Sequence, residues 1–210
     1  MFRDVSGAFT EFQFGLKRTI DFTVSLFVLL LLSPLILAII VAVKLDSEGP
    51  VLIRQERIGQ RLRPFQMLKF RSMVRNAGDL RAELELLNEA TGPLFKMRLD
   101  PRVTRVGRVL RRLSLDELPQ LINVLRGEMS LVGPRPPFAR EVAADPRRQA
   151  LRLQQVPGMT GLWQVSGRSG LDYDDMIALD LRYYREWSIL VDFEILLRTP
   201  AAVISGRGAY

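Results

Sequence analysis

A mostly helical chain with one short β-hairpin, entered through an N-terminal membrane-associated helix interrupted at Ser33-Pro34, is the fold class this sequence predicts. Three observations lead there. An almost unbroken apolar run extends from about Ile20 to Val43 and is closed by Lys44; roughly 20 such residues are what a membrane helix needs. One stretch only, between Val51 and Phe70, sets β-branched and aromatic residues around a turn bearing Gly59 and Pro64, the pattern of a hairpin. Most of the remainder repeats apolar residues at helical spacing.

Composition narrows the chemistry. The chain has 210 residues, no Cys and no His, enough for one domain with a core, or one domain plus a membrane element. Disulfides, thiolate nucleophiles and imidazole bases are excluded, and with them Ser-His-Asp and Cys-His mechanisms. A typical zinc site lacks its ligands. Carboxylates, Lys, Arg, Tyr, hydroxyls or a hard cation must carry any catalysis. The formal net charge is +7, which suits nucleic acid, anionic lipid or phosphorylated substrates. Lys17, Lys44, Lys69 and Lys96 are the only lysines. The many arginines read equally as bidentate phosphate ligands or as a composition bias.

Taking the elements in order, Phe2, Phe9, Phe12 and Phe14 lie among polar residues before Gly15 and read as an interfacial segment. The apolar run follows. It is too long for a signal peptide and has no small-residue cleavage site after it, and few core helices are apolar on all sides. Pro34 removes a backbone hydrogen bond and kinks the helix; Ser33 can re-satisfy a freed carbonyl. Both flanks are basic, with Lys17-Arg18 before and Lys44, Arg54, Arg57, Arg61 and Arg63 after, so charge bias sets no orientation for a straight span. Two readings stand: a helix that dips in and returns to the same face, or a kinked spanning helix.

Val51 to Arg57 and Phe65 to Phe70 form the expected hairpin strands. Lys69 and Arg71 occupy alternate positions, which in a strand share one face and could hold one phosphate; a solvated edge is the plainer reading. Helices are expected over Asp79 to Ala90 (face Leu80, Leu84, Leu87, stopped at Thr91-Gly92-Pro93) and over Arg102 to Leu113, a basic amphipathic segment. They are also expected over Pro119 to Arg126 with Gly127 as cap, Pro136 to Ala144, Arg147 to Gln155, Asp174 to Trp187 and Ile189 to Ile204. Pro157 to Arg168 is glycine-punctuated and reads as a binding loop.

Ser114-Leu115-Asp116-Glu117-Leu118-Pro119 is the stretch around which the rest is arranged. The residue before a proline is pushed from the α region, so Leu118 should be a boundary and Pro119 the first helical residue. Asp116 and Glu117 then sit at a helix entrance, where the macrodipole stabilises negative charge. Ser114 with Glu117 also matches a capping box, so capping and catalysis both stand. Arg102, Arg105, Arg108, Arg111 and Arg112 precede the pair, and Gly133-Pro134-Arg135-Pro136-Pro137 follows it. A carboxylate pair between arginine-bearing stretches suggests phosphate chemistry with a divalent cation.

Five motifs occur in order: Ser-Pro within the first apolar helix, Lys69-Phe70-Arg71-Ser72-Met73, Ser114 to Leu121, Met129 to Pro136, and Pro157 to Arg168. Together they resemble the bacterial sugar transferase family, the monotopic polyprenyl-phosphate phosphoglycosyl transferases, over nearly the whole chain from Lys17. The resemblance implies transfer of a sugar 1-phosphate from a UDP-sugar to undecaprenyl phosphate, with release of UMP and Mg2+ as cofactor. That is the first membrane step of a bacterial exopolysaccharide, capsule, O-antigen or glycoprotein pathway. It implies Asp116 as nucleophile, forming an aspartyl phosphosugar, and Glu117 as its Mg2+-holding neighbour. Arg135 matches the phosphate-binding arginine, Lys69, Arg71, Arg111 and Asp180 other substrate-site positions, and Arg168 the arginine closing the glycine-rich loop near the nucleotide. One departure is Val156, where many relatives carry a basic residue or proline. The resemblance further implies a re-entrant helix region (1–46), a catalytic domain (47–210) on the cytoplasmic face of the bacterial inner membrane, and the minimal catalytic form of the family. Membrane lipid and downstream glycosyltransferases are the expected partners, with no nucleic acid and with the choice between monomer and homodimer open. A membrane-anchored basic protein that binds nucleic acid or anionic lipid through Arg102 to Arg112 is the alternative. Against it, those arginines have no interleaved aromatics.

Overall fold

The computed structural model describes the backbone of residues 3–89, 92–95 and 97–205, with side chains from Glu11 onward apart from that of Ser169. Helix α1 (Arg3–Leu31) and helix α2 (Ser33–Asp46) follow one another across Leu32 and diverge by 64°. The bend has a local cause. Pro34 has no N–H for the carbonyl of Leu30, four residues back. The Ser33 hydroxyl donates to that same carbonyl at 2.8 Å, so the break leaves no orphaned acceptor there. Among the described residues no single helix is long and apolar enough to cross a membrane; the bent pair together meets that test. Phe27, Leu30, Leu31, Leu37, Val41 and Leu45 on this pair are exposed. Phe2 and the side chain of Phe9 lie outside the described residues. Phe12 is exposed, and Phe14 stacks on Trp187 with ring centroids 4.4 Å apart.

The N-terminal half of α1 is tied to the rest by its polar side chains. Lys17 pairs with Asp192 at 2.5 Å and donates to the Val132 carbonyl at 3.0 Å. Asp21 accepts from the Leu131 N–H at 3.1 Å. Tyr183 adds its hydroxyl to Asp192 at 2.6 Å. These charges are one helical turn apart and share a face, so α1 turns them toward protein.

Strands β1 (Leu52–Ile58) and β2 (Pro64–Phe70) pair antiparallel from Leu52–Phe70 to Ile58–Pro64. The expected helix from Asp79 to Ala90 is not formed. Two short 3-10 turns, Asp79–Arg81 and Glu85–Leu87, take its place. Leu80, Leu84 and Leu87 are not buried, and Leu86 is 97% exposed; without packing on an apolar face a segment this short has little to hold it helical. Thr91, the expected stop, lies outside the described residues.

Helix α3 (Arg105–Arg112) is shorter than expected and starts where the Thr104 hydroxyl caps the Gly107 N–H at 3.0 Å. Gly107 lets α3 lie directly on the chain after β2: a Cβ there would stand 2.0 Å from the Ser72 carbonyl oxygen. Leu110 joins Ile39, Val43 and Phe70 in one small core. Helix α4 (Gln120–Arg126) ends at Gly127, left-handed at φ 79°, as the sequence predicts. Arg18 of α1 donates to the last-turn carbonyls of Val124 and Leu125.

The stretch from Pro157 to Arg168 is not a loop throughout. Strand β3 (Ser130–Val132) pairs in parallel with β4 (Gly158–Thr160). Helices α5 (Ala139–Ala144) and α6 (Pro146–Arg152) lie between them in sequence, and α7 (Leu162–Ser166) follows β4. Three-residue strands carry too little alternation to be read as such. Helices α8 (Tyr173–Glu186) and α9 (Ile189–Ile204) close the chain. Met67, Leu121, Val124, Val132, Tyr183 and Ile195 form the main core, joining the hairpin, α4, β3, α8 and α9.

Candidate active site

Asp116 and Glu117 lie in a 3-10 turn, Leu115–Glu117, that runs into α4 without a break. Leu118 is consequently helical (φ −52°, ψ −37°) rather than extended, and its N–H bonds to the Leu115 carbonyl; the turn geometry overrides the pre-proline preference. Ser114 does not form the capping box. It sits in the left-handed region at φ 54°, with no side-chain cap bond, a conformation costly for a non-glycine residue and frequent at functional sites.

The two carboxylates are in different situations. Asp116 is 7% exposed, and no side chain among the described residues bonds to it. Burial pushes its carboxyl above the ordinary value, opposed by the charges of Lys69 and Arg111. Burial works the same way on Glu117, yet Lys69, Arg57 and Arg168 together hold its carboxyl below the ordinary value. Lys69 Nζ lies 2.6 Å from Glu117 Oε1. The lysine is held there by the hairpin, and the hairpin by Asn123: its Oδ1 accepts from the Leu68 N–H at 2.9 Å and its Nδ2 donates to the Gln66 carbonyl at 2.8 Å. A wholly buried amide on α4 thus completes the edge of β2.

Cations surround the pair. Arg111 comes from the last turn of α3. Arg168, itself left-handed at φ 53°, donates to the Ser114 hydroxyl at 3.0 Å and to the Ala202 carbonyl of α9 at 3.1 Å. Arg135 lies in the proline-rich loop after β3 and pairs with the fully buried Glu141 at 2.8 Å. The structure therefore brings Lys69, Arg111 and Arg168 to the carboxylates.

Arg71 and Asp180 are not brought there. Arg71 is buried, with its guanidinium spent on the carbonyls of Val43, Ser47 and Pro50 and on the Ser47 hydroxyl; it caps the end of α2. Asp180 lies wholly buried in α8, 2.7 Å from Arg152. Burial raises its carboxyl to about 6 against the opposing pull of Arg152 and Arg135. Four residues were missed: Arg57, Asn123, Glu141 and Arg152. Arg57 had a signal, since it follows Ile53 and Gln55 on one face of β1 and is the buried member of that face.

Asp116 and Glu117 can offer carboxylate oxygens to a hard cation. Among the described residues no third acidic side chain joins them. One or two carboxylates with the remainder from water and phosphate is the usual Mg2+ arrangement, so the donor set fits such an ion shared with a phosphorylated ligand.

A buried aspartate bonded to no side chain thus sits beside a lysine-held glutamate and several guanidinium groups, an arrangement chemically suited to anionic ligands. The chain belongs to the bacterial sugar transferase family, whose sequence model matches residues 12–206. The exopolysaccharide production protein ExoY of Sinorhizobium fredii is 42% identical over 92% of this chain and 88% of its own. The undecaprenyl-phosphate galactose phosphotransferase of Salmonella typhimurium is 43% identical over 93% of this chain, and the UDP-glucose:undecaprenyl-phosphate glucose-1-phosphate transferase of Caulobacter vibrioides 42% identical over 92%. Those matches cover 42% and 72% of the two relatives, and 43% of the galactosyl transferase CpsE of Streptococcus agalactiae, so the chain spans less than half of some relatives.

Proposed function

We propose that this chain transfers a sugar 1-phosphate from a UDP-sugar to undecaprenyl phosphate and releases UMP, with Asp116 as nucleophile. The observation that carries the reading is the asymmetry of the carboxylates: Asp116 is buried with no bonded side chain, whereas Glu117 is ion-paired to Lys69. In the first step an Asp116 oxygen bonds to the sugar-bearing phosphorus as the phosphorus–oxygen bond to UMP breaks, giving an acyl phosphate. In the second, an oxygen of the lipid phosphate bonds to that phosphorus and the carboxylate departs unchanged. Mg2+, when bound by Asp116 and Glu117, supplies charge neutralisation for the diphosphate. Lys69, Arg111 and Arg168 add fixed positive charge where negative charge develops. Arg135 orients a phosphate through its rigid proline-flanked backbone.

The substrates are those in the names of the Salmonella and Caulobacter relatives. The exposed apolar side chains of the bent pair support a reading in which residues 1–46 enter one leaflet of the inner membrane as a re-entrant element. The catalytic part, residues 47–210, then meets lipid phosphate from the membrane and UDP-sugar from the cytoplasm, and hands its product to downstream glycosyltransferases. Incubation with UDP-glucose or UDP-galactose and undecaprenyl phosphate should release UMP; EDTA should stop release and Mg2+ restore it. No UMP with any UDP-sugar would refute the reaction, and full activity in EDTA would remove the metal.

A further inference from the structure

The loop bearing Arg135 is held in an unusual way. Pro134, Pro136 and Pro137 have no N–H to donate, so apart from the ion pair of Arg135 with Glu141 the segment is fixed through its acceptors. All four consecutive carbonyls are taken, by donors from β4, α6 and β1. The Gly158 N–H donates to Pro134 at 2.9 Å, and Arg152 Nη2 donates to Arg135. Arg57 Nη1 donates to Pro136 at 3.0 Å, and the Ile58 N–H to Pro137 at 2.9 Å. The carbonyls of Arg135 and Pro136 thus depend on buried guanidinium groups.

Arg57 is built for that post. It is 6% exposed, its Nη2 and Nε donate to Gln55 Oε1 at 2.8 and 3.3 Å, and its guanidinium lies 3.4 Å from the Phe138 ring centroid. A planar cation stacked on a ring and forked between two acceptors has one orientation. A lysine there would keep the charge and lose the fork. Burying the guanidinium costs free energy that a purely packing role would not require.

We propose that Arg57 is a positioning residue for Arg135: it fixes the proline-rich loop by the Pro136 carbonyl so that the Arg135 guanidinium meets the substrate phosphate. This rests on the transferase reading above. Arg57 bonds to neither carboxylate; its charge reaches Glu117, and because Arg57→Lys keeps that charge, the loss read in that variant passes through Arg135.

The test is a double-mutant cycle on the full chain in lipid nanodiscs, using Arg57→Lys, Arg135→Ala and the double variant. Arg57→Lys should lower kcat/KM for the UDP-sugar by about tenfold or more, while in the Arg135→Ala background the same change should cost less than about twofold, because residues acting as one unit are non-additive. Equal losses in both backgrounds would overturn the proposal, since Arg57 would then act independently of Arg135. Amide exchange gives a readout separate from turnover. In Arg57→Lys the peptide spanning 133–142 should exchange faster, with α8 unchanged. Unchanged exchange in that peptide would overturn the proposal even where activity falls. If the wild type releases no UMP, the transferase reading fails, and exchange alone decides whether Arg57 clamps the loop.

Discussion

Asp116 and Glu117 are adjacent, yet their neighbours separate their chemistry. Lys69 is bonded to one and acts only through its field on the other, so the Glu117 carboxyl is held below its ordinary value while the Asp116 oxygens are bonded to no side chain. Asp180 shows a different use of burial. Its carboxyl is raised to about 6 from 3.8, so the folded chain holds a proton that the unfolded chain has released between those values. That contribution to stability is fully present below about pH 3.8 and is lost as pH rises through about 6. By the usual conversion it is on the order of 2–3 kcal/mol. Unfolding measured from pH 7 down to pH 4.5 should therefore show wild type gaining stability relative to Asp180→Asn. A constant difference across that window would contradict the assignment.

At the scale of elements, arginines finish what the backbone leaves undone. Arg18 caps α4, Arg71 caps α2, Arg168 reaches a last-turn carbonyl of α9, and Arg57 and Arg152 serve the proline-rich loop. Helix ends leave carbonyls without partners, and a guanidinium supplies several donors at once. The arginine richness, read from the sequence as phosphate binding or composition bias, is in part structural: these five serve the backbone. The close approach of α3 has its own test. Gly107→Ala would drive a Cβ against the Ser72 carbonyl and should cost roughly 1–3 kcal/mol as backbone overpacking; an unchanged Tm would contradict the contact. The bend at Ser33-Pro34, the hairpin, α4 with its Gly127 cap, and α8 and α9 were legible because period, proline and glycine act locally. β3 and β4 were not, since parallel pairing between residues 130 and 158 leaves no local signal. Nor was Asn123, whose partner strand lies more than fifty residues away. Lys69, Arg111 and Arg168 lie beside the acids, whereas Arg71 and Asp180, equally charged in sequence, point into the protein because helix ends and buried ion pairs claimed them.

For the whole molecule, α1 matters twice. Its Lys17, Arg18 and Asp21 bind the catalytic part, and its apolar side chains lead to the bend. A re-entrant pair puts both ends on one face. Single cysteines at Glu11 and Glu48, both exposed, are clean probes in a chain with no native cysteine; both should label only from the cytoplasmic side. Labels on opposite sides would show a spanning helix. Replacing Ser33 by Leu and Pro34 by Ala restores the missing backbone bond and should send the N-terminal label across. In the proposed reaction Asp116 carries the sugar phosphate. Intact-protein mass spectrometry after incubation with UDP-sugar, without lipid acceptor, addresses it directly. The predicted result is a mass gain equal to the sugar 1-phosphate less one water, discharged on adding undecaprenyl phosphate and absent in Asp116→Asn. Turnover without any adduct, or an adduct that persists in Asp116→Asn, would contradict it.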